Sequence, residues 1–335
     1  MKLRSLFVVS KRALRVLAMT PFQRLYINKL SKLLAKDTSC LVYLLTDHAG
    51  DTFISLSLLE ALKTTVDSNF VVCIFKEYES LLKYFPKLAD NYVTFADGKF
   101  LLFQSRDLVK FNGVILASVK FGTFGIKEKV RTRKLVLVGY KYAHLVKFWE
   151  SPYKLRIDNY FRFILNVPED FPLASPCISE EQRERAKQLF DSYNLVEGRT
   201  VILAPYSNSS KSYSDRSIHI FEKVASKLAE KGYIVCTNVD QRNPRPIRDT
   251  VAVSPSLDLL IPFPDLAGYV ITFRSGFADI VSGSRAKLFV LYPNLLLSFG
   301  VTSYDYFSIS SIFKRSDTIE LIGESEDFLK VLDYF

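Results

Sequence analysis

The sequence predicts an α/β fold with two doubly wound domains, each built around a parallel sheet. Short runs rich in Val, Ile, Leu and Tyr alternate along the chain with segments of helical periodicity, which is the order that βαβ units produce. With 335 residues, the chain is longer than one hydrophobic core usually organises. Its 48% apolar and 24% charged residues are typical of globular proteins, which excludes a fibrous or intrinsically disordered chain.

The N-terminal segment, residues 1–37, carries most of the net charge of +10. Residues 1–36 contain nine Lys or Arg and no Asp or Glu, interleaved with apolar residues. Such basic helices either lie on an anionic membrane surface or pack on the fold, or on a second subunit, with their charges solvated. No run of about 18 apolar residues occurs, so a membrane-spanning helix is not expected. No nucleic-acid-binding motif accompanies the cations, so a nucleic-acid partner is not expected.

The first predicted domain covers residues 38–165. Its apolar runs predict strands, and the helix after the first strand begins at Asp51 and is amphipathic, with Phe53 and Ile54 on its apolar stripe. A second helix, rich in Leu and Tyr, ends near Leu88. The predicted strands are residues 40–45, 70–75, 92–95, 113–118 and 134–140.

A linker follows, because four prolines between residues 151 and 179 remove backbone donors and discourage regular structure. The linker and a helix that Ser179 opens occupy residues 166–198. The second domain, residues 199–335, repeats the alternation of strands and helices. Its predicted strands are residues 200–207, 233–239, 249–253, 269–273 and 287–293, and its predicted helices are residues 215–231, one that starts at Gly276 and one at the C-terminus.

The four cysteines lie far apart without a CxxC pair, so neither a disulfide framework nor a zinc site is predicted. Cys40, Cys73 and Cys236 fall in apolar strand-like runs, which is typical of buried free thiols in a reducing cytoplasm.

The first candidate site is the loop after strand 40–45, because ligands of open parallel sheets bind beyond the carboxyl ends of the strands. Gly50 permits a tight turn or the close approach of a ligand. Asp51, at the start of a helix, is either an ordinary N-cap or a group that takes a proton from a hydroxyl nucleophile. Asp47 and His48 are candidates for the same proton transfer, and a purely structural role for His48 is the alternative.

Two loops of the second domain are candidate phosphate sites. After strand 200–207, small polar side chains precede a cation, and a flexible Ser-rich loop is the alternative. After strand 269–273, the chain passes through Arg, Ser and Gly into a helix, whose free amides bind phosphate. Asp279, one turn inside this helix, is placed to hold the loop instead of touching the ligand. The candidate phosphate-binding residues are Ser207, Asn208, Lys211, Arg274, Ser275 and Gly276.

Together these loops resemble the GT-B glycosyltransferases, and most closely the bacterial heptosyltransferase-like family of lipopolysaccharide and surface-glycan biosynthesis. HAGDTFISLSLLEALK is similar to the Gly-Asp pair and helix that open the N-terminal domain of the family. ILAPYSNSSK is similar to the strand and phosphate-contacting Lys that open its C-terminal domain, and the Ser-Gly pair before the later helix to the residues that meet the donor diphosphate. The resemblance covers about residues 40–330. It implies two Rossmann-like domains that face each other across a cleft, with a basic helical N-terminal extension.

The resemblance implies an inverting transfer of a sugar from a nucleotide-diphosphate donor to a glycan or lipid-linked acceptor. Asp51 is then the base, and Lys211, Arg274 and the helix start at Gly276 grip the diphosphate. No DxD triplet occurs in the chain, so neither a metal nor a cofactor is expected. The basic residues 1–36 suit an enzyme in the cytoplasm that lies peripherally on the inner face of the cell membrane.

The sequence departs from the family at two points. Arg274 stands where the family usually has Asp, and the usual Pro after the Gly-Asp helix start is absent, with Ser57 nearby. The nearest alternative function is that of a GT-B nucleotide-sugar 2-epimerase, which would use the same phosphate site without an acceptor. A scaffold of this fold without catalysis would also fit the sequence, as would a basic membrane- or nucleic-acid-binding protein.

Overall fold

The structure is a computed structural model that describes residues 40–46, 48–65, 70–95, 113–117, 156–165, 167–207, 218–294, 296 and 301–335. Within these residues the chain forms two sheets whose strands pair in parallel. The strands of the first sheet are β1 (Cys40–Leu45), β2 (Phe70–Phe75), β3 (Tyr92–Phe95) and β4 (Gly113–Ala117). Those of the second are β5 (Thr200–Ala204), β6 (Ile234–Asn238), β7 (Val251–Val253), β8 (Gly268–Phe273), β9 (Lys287–Pro293) and β10 (Ile319–Gly323).

The order of the strands indicates where ligands are expected to bind in each sheet. The first sheet has the order β3-β2-β1-β4 and the second the order β10-β9-β8-β5-β6-β7. Read from β7 to β10, the second sheet has the 3-2-1-4-5-6 order of a Rossmann fold, and the first sheet has the first four positions of that order. The connections reverse direction between β1 and β4 and between β5 and β8. Ligands of such folds bind at the carboxyl ends of the strands beside this reversal.

Helices connect the strands in both halves. The α-helices are α1 (Ala49–Thr65), α2 (Pro86–Ala89), α3 (Ile157–Leu165), α4 (Glu180–Ser192), α5 (Ile218–Glu230), α6 (Pro262–Ala267), α7 (Gly276–Val281), α8 (Ser303–Phe307) and α9 (Ile309–Phe313). Among the described residues, 3-10 helices span Lys76–Tyr84, Leu257–Leu259 and Ser325–Tyr334. Among the described helices, none has the length and apolar character needed to cross a membrane.

Helix α1 is buried on all sides, although its sequence predicts an amphipathic helix. Every residue from 50 to 61 is buried. Its polar side chains find partners that the pattern does not reveal: the Ser55 hydroxyl donates to the carbonyl of Asp51 at 2.8 Å, and the Ser57 hydroxyl donates to the carbonyl of Ala174 at 2.6 Å. Because these hydroxyls are satisfied by backbone carbonyls, they can be buried at little cost.

The two halves share one hydrophobic cluster around α1. Phe53 packs against Phe85 of the first half and Phe313 of the second, with ring centroids 5.4 and 6.1 Å apart. Polar contacts join the same two halves: the Lys83 ammonium lies 2.8 Å from the Asp258 carboxylate. The first half is therefore fixed to the second by both apolar packing and an ion pair.

The structure corrects several sequence-based element predictions. The stretch predicted to be irregular, residues 151–179, contains α3, whose Tyr160 and Phe161 are buried in the shared cluster. The three prolines at positions 168, 172 and 176 follow α3 and do not interrupt it. The C-terminal helix is of the 3-10 type. Strand β10 and helices α8 and α9 are elements that the sequence patterns did not predict.

Some predictions lie outside the described residues. These include the basic segment 1–37, the strand at residues 134–140 and the start of the helix predicted at residues 215–231. The proposed domain boundaries stay predictions. Cys73 and Cys236 are buried, as the sequence predicts, and Cys177 is exposed.

Candidate functional site

The loop after β1 is held in place by hydroxyl groups at both of its ends. The buried hydroxyls of Thr46 and Thr52 hydrogen-bond to each other, and the Thr52 hydroxyl also donates to the carbonyl of His48 at 3.0 Å. The Thr52 amide donates to the same carbonyl at 3.1 Å and so begins α1. Asp51 is the third residue of α1, inside its first turn, so the interpretation of Asp51 as an N-cap is wrong. Its side chain is 7% exposed.

Of the remaining two candidate bases, His48 is partly buried at the start of this turn, and Asp47 lies outside the described residues. The arrangement therefore brings Asp51 and His48 to the carboxyl end of β1, which is the switch point of the first sheet.

Gly50 and Gly276 bring the two switch points into direct contact. A Cβ atom on Gly50 would lie 2.6 Å from the Cα of Gly276, and one on Gly276 would lie 2.8 Å from the amide nitrogen of Gly50. Neither residue has a positive φ, so each glycine is required for space and not for backbone conformation. The close approach of a ligand at Gly50 stays a prediction; among the described residues, its close neighbour is the first turn of α7 from the second half.

Arg274 follows β8 and is buried. Its Nε donates to the carbonyl of Phe307 at 3.0 Å, its Nη1 donates to the carbonyl of Ser275 at 2.6 Å, and its Nη2 lies 2.9 Å from Oδ1 of Asp279. The guanidinium also lies over the Phe307 ring, 4.4 Å from the centroid. All three guanidinium nitrogens are therefore close to protein oxygens, and a fork to phosphate would require Arg274 to leave them. Asp279 holds this loop, as its sequence position predicts.

The exit loops of β5 and β8 are tied together next to α7. The Ser207 hydroxyl, which is buried, donates to the carbonyl of Arg274 at 3.3 Å. Ser275 precedes α7, but its hydroxyl makes no capping hydrogen bond. The Ser275 Oγ is buried without a hydrogen-bond partner in the part of the chain that the structure describes. Asn208 and Lys211 lie outside that part.

Two buried titratable side chains interact electrostatically with Asp51. Burial raises the pKa of Asp279 to about 7; the Arg274 charge opposes this shift, and the Asp51 charge adds to it. Burial also raises the pKa of Tyr306, a residue of α8, well above its ordinary value, and the Asp51 charge adds to that shift. Tyr306 is a residue that sequence reasoning missed, because no motif connects α8 to the first domain. Among the described residues, no three His, Cys, Asp or Glu side chains form a group suited to hold a metal ion.

Comparisons with known proteins identify the fold. Neither the models of protein families nor the curated protein sequences give a match to this chain. Solved structures do match over most of its length, and they are GT-B proteins. The predicted fold class is therefore confirmed for the described residues: the chain has a GT-B fold.

Glycosyltransferases are among these structures, and three of them match this chain as follows. The glycosyltransferase family 9 protein of Veillonella parvula has a TM-score of 0.59 at 14% identity, and the match covers 85% of this chain and 87% of that one. The ADP-heptose lipopolysaccharide heptosyltransferase II of E. coli has a TM-score of 0.58 at 12% identity, with 88% and 97% covered. The E. coli heptosyltransferase WaaC with ADP has a TM-score of 0.52 at 9% identity, with 88% and 99% covered. At these identities the likeness establishes the fold.

Proposed function

We propose that the protein is a glycosyltransferase that moves a sugar from a nucleotide-diphosphate donor to a glycan or lipid-linked acceptor in bacterial surface-polysaccharide biosynthesis. One observation carries the proposal: Gly50, the residue before Asp51, is in contact with Gly276, so the switch points of the two sheets meet. A sugar transferase needs a base for the acceptor and binding groups for the donor in the same site, because the acceptor must lose a proton while the donor loses its diphosphate. The matched structures include heptosyltransferases, one of them with ADP.

On the donor side, the second sheet supplies the groups for the diphosphate. Ser275 offers a buried hydroxyl without a protein partner among the described residues, which is unusual because buried polar atoms are nearly always hydrogen-bonded. A phosphate oxygen would satisfy it. Lys211 and Asn208, from the loop after β5, would add a positive charge and an amide donor. These groups stabilise the negative charge that develops as the nucleoside diphosphate leaves, so no metal ion is required in this mechanism.

On the acceptor side, Asp51 is the proposed base. The acceptor oxygen attacks the anomeric carbon and gives its proton to Asp51, while the bond from that carbon to the diphosphate oxygen breaks on the opposite face. The sugar configuration therefore inverts. Because Asp51 is only 7% exposed, a hydroxyl that reaches it is shielded from bulk water, and electrostatic interactions there are strengthened. His48 and Asp47 are the alternative bases.

The basic residues 1–36 have a role in the same proposal. Their cations would hold the enzyme peripherally on the inner face of an anionic membrane, where a lipid-linked acceptor is presented. Removing these residues would then lower transfer to a lipid-linked acceptor but not to a soluble one.

The test is a donor screen followed by product analysis. UDP-, GDP-, ADP- and CMP-sugars are added to the protein, and a ligand of the native state raises the melting temperature. The stabilising donor is then incubated with and without lipid-linked glycans. Sugar found on the glycan supports the transferase, whereas an epimerised donor formed without acceptor would identify a 2-epimerase. If no nucleotide sugar binds, the proposal is wrong.

A further inference from the structure

Asp279 is a buried carboxylate of the second half that touches the helix carrying the proposed base. Its side chain is 1% exposed. A Cβ atom built on Gly50 would lie 2.0 Å from Oδ2 of Asp279, so this oxygen rests against the residue that precedes Asp51. The other oxygen, Oδ1, lies 2.9 Å from Nη2 of Arg274. The carboxylate is thus fixed between a cation of its own half and the first turn of α1.

The contact leaves Asp279 incompletely neutralised. Oδ1 receives no well-directed hydrogen bond in the described structure, although Arg274 is close to it. Arg274 also shares its charge with the carbonyls of Phe307 and Ser275. A buried carboxylate with one shared cation is sensitive to any further charge nearby. The further charge is Asp51, one residue beyond the contact at Gly50.

We propose that Asp279 is a positioning residue for the base: held by Arg274 against Gly50, its carboxylate sets the basicity of Asp51 across the contact between the two halves. This inference rests on the proposed transferase, in which Asp51 accepts the proton of the acceptor hydroxyl. Asp279 itself neither touches the substrate nor takes that proton. Its charge makes the neighbouring carboxylate a stronger base when both are ionised.

The two carboxyl groups then titrate as a pair. Asp279 loses its proton near pH 7, because burial raises its pKa and the Asp51 charge adds to that shift. The repulsion between the two carboxylates acts in both directions, so a charged Asp279 favours the protonated form of Asp51. Arg274 and Tyr306 interact electrostatically with this pair, and His48 stands at the start of the same turn. Tyr306 stays neutral between pH 6 and 8, because burial raises its pKa well above the ordinary value.

Nuclear magnetic resonance of the side-chain carboxyl carbons tests the coupling without any substrate. Protein labelled with ¹³C at the aspartate carboxyls is titrated from pH 4 to 9, and Asp279→Asn identifies the Asp279 signal. In the wild type this signal should titrate near pH 7; in Asp51→Asn its midpoint should fall by about 1 unit, the size of a typical like-charge effect. Asp265→Asn is the matched control, since Asp265 is another acid of the second half whose pKa burial raises, and it should leave the midpoint unchanged.

An unchanged Asp279 midpoint in Asp51→Asn would overturn the inference. If Asp279→Asn does not fold, the Asp51→Asn comparison still decides, because Asp279 remains in place and its signal is the one that moves near neutral pH.

The pH dependence of enzyme activity provides a second test. In the wild type, kcat/KM for nucleotide release from the donor should rise between pH 6 and 8, whereas Asp279→Asn should remove the rise and lower the value at pH 8 by up to about tenfold, the ratio that one pKa unit represents. A merely structural role would lower activity equally at every pH. If no variant and no wild type turns over a nucleotide sugar while the carboxyl coupling is seen, the proposed function fails and the coupling stands. If the protein turns over a nucleotide sugar but the Asp279 midpoint is unchanged in Asp51→Asn, the coupling is refuted and the proposed function stands.

Discussion

The contact between Gly50 and Gly276 predicts a specific effect of the substitution Gly50→Ala. The added methyl carbon would lie 2.0 Å from Oδ2 of Asp279 and 2.6 Å from the Cα of Gly276, where ordinary contacts are 3.4–4 Å. The Asp279 side chain is buried and held by Arg274, and the Gly276 Cα belongs to a backbone fixed by α7. The two halves must therefore move apart locally at the proposed site.

The expected cost follows from the two opposing effects of the methyl group. Inserting a methyl group into a filled contact costs about 1–3 kcal/mol. Alanine in a helix regains about 0.5–1 kcal/mol relative to glycine. The free energy of unfolding should thus fall by about 1–2 kcal/mol. Turnover should fall much more, because displacing catalytic groups by about 1 Å can cost 100-fold.

The assay combines chemical denaturation with nucleotide release from the donor. Gly198→Ala is the matched control, since Gly198 has φ +68° and no atom lies within 4 Å of an added Cβ. It should lose about 1–2 kcal/mol through backbone strain and keep its turnover. If Gly50→Ala retains both the wild-type denaturation midpoint and the wild-type turnover, the contact does not exist as described and the reasoning is refuted.

Three further predictions concern stability. Burial raises the pKa of Asp258, but hydrogen bonds led by that from Lys83 outweigh it and lower the pKa to about 2. Because this is below the ordinary value of 3.8, Asp258 contributes up to about 2 kcal/mol that is present above pH 4 and lost as pH falls through 2; in urea titrations, the difference in stability between wild type and Asp258→Asn should be about 1 kcal/mol smaller at pH 3 than at pH 7. Arg274→Ala should cost about 3–5 kcal/mol by thermal denaturation, because it leaves the buried Asp279 without its cation, and equal stability would contradict the ion pair. Ser179→Ala removes the capping box of α4 and should cost about 1 kcal/mol in the same measurement without a change in turnover.

The strand pattern and the two switch-point loops could be predicted from sequence because they depend on local signals. Apolar runs of five or six residues identify buried parallel strands, and the turn after residue 273 enters a helix within three residues. Asp51 is recognisable from a local signal too, since it lies between a predicted strand and a predicted helix. The contact between Gly50 and Gly276 could not be predicted, since it depends on how the two halves pack and neither glycine has a backbone conformation that marks it.

The remaining differences between sequence and structure have equally physical causes. Helix α1 reads as amphipathic because Ser55 and Ser57 look like surface residues, yet their hydroxyls are satisfied by backbone carbonyls inside the protein. The sequence predicts Arg274 as a phosphate ligand because a cation before the start of a helix is typical of phosphate sites. The Phe307 carbonyl, which accepts a hydrogen bond from its guanidinium, belongs to a distant part of the chain. Patterns thus locate the site but do not reveal which of its charges are already paired.

The most direct test of the central claim compares Asp51→Asn with the wild type in two measurements on the same donor. The dissociation constant of the nucleotide sugar is measured by calorimetry, and slow release of the nucleoside diphosphate, with water or glycan as acceptor, is measured by chromatography. If Asp51 is the base, the substitution leaves the dissociation constant within about twofold and lowers the release rate by about 10²–10⁴-fold, the usual contribution of a general base. A variant that binds the donor and releases its nucleotide at the wild-type rate would contradict the account.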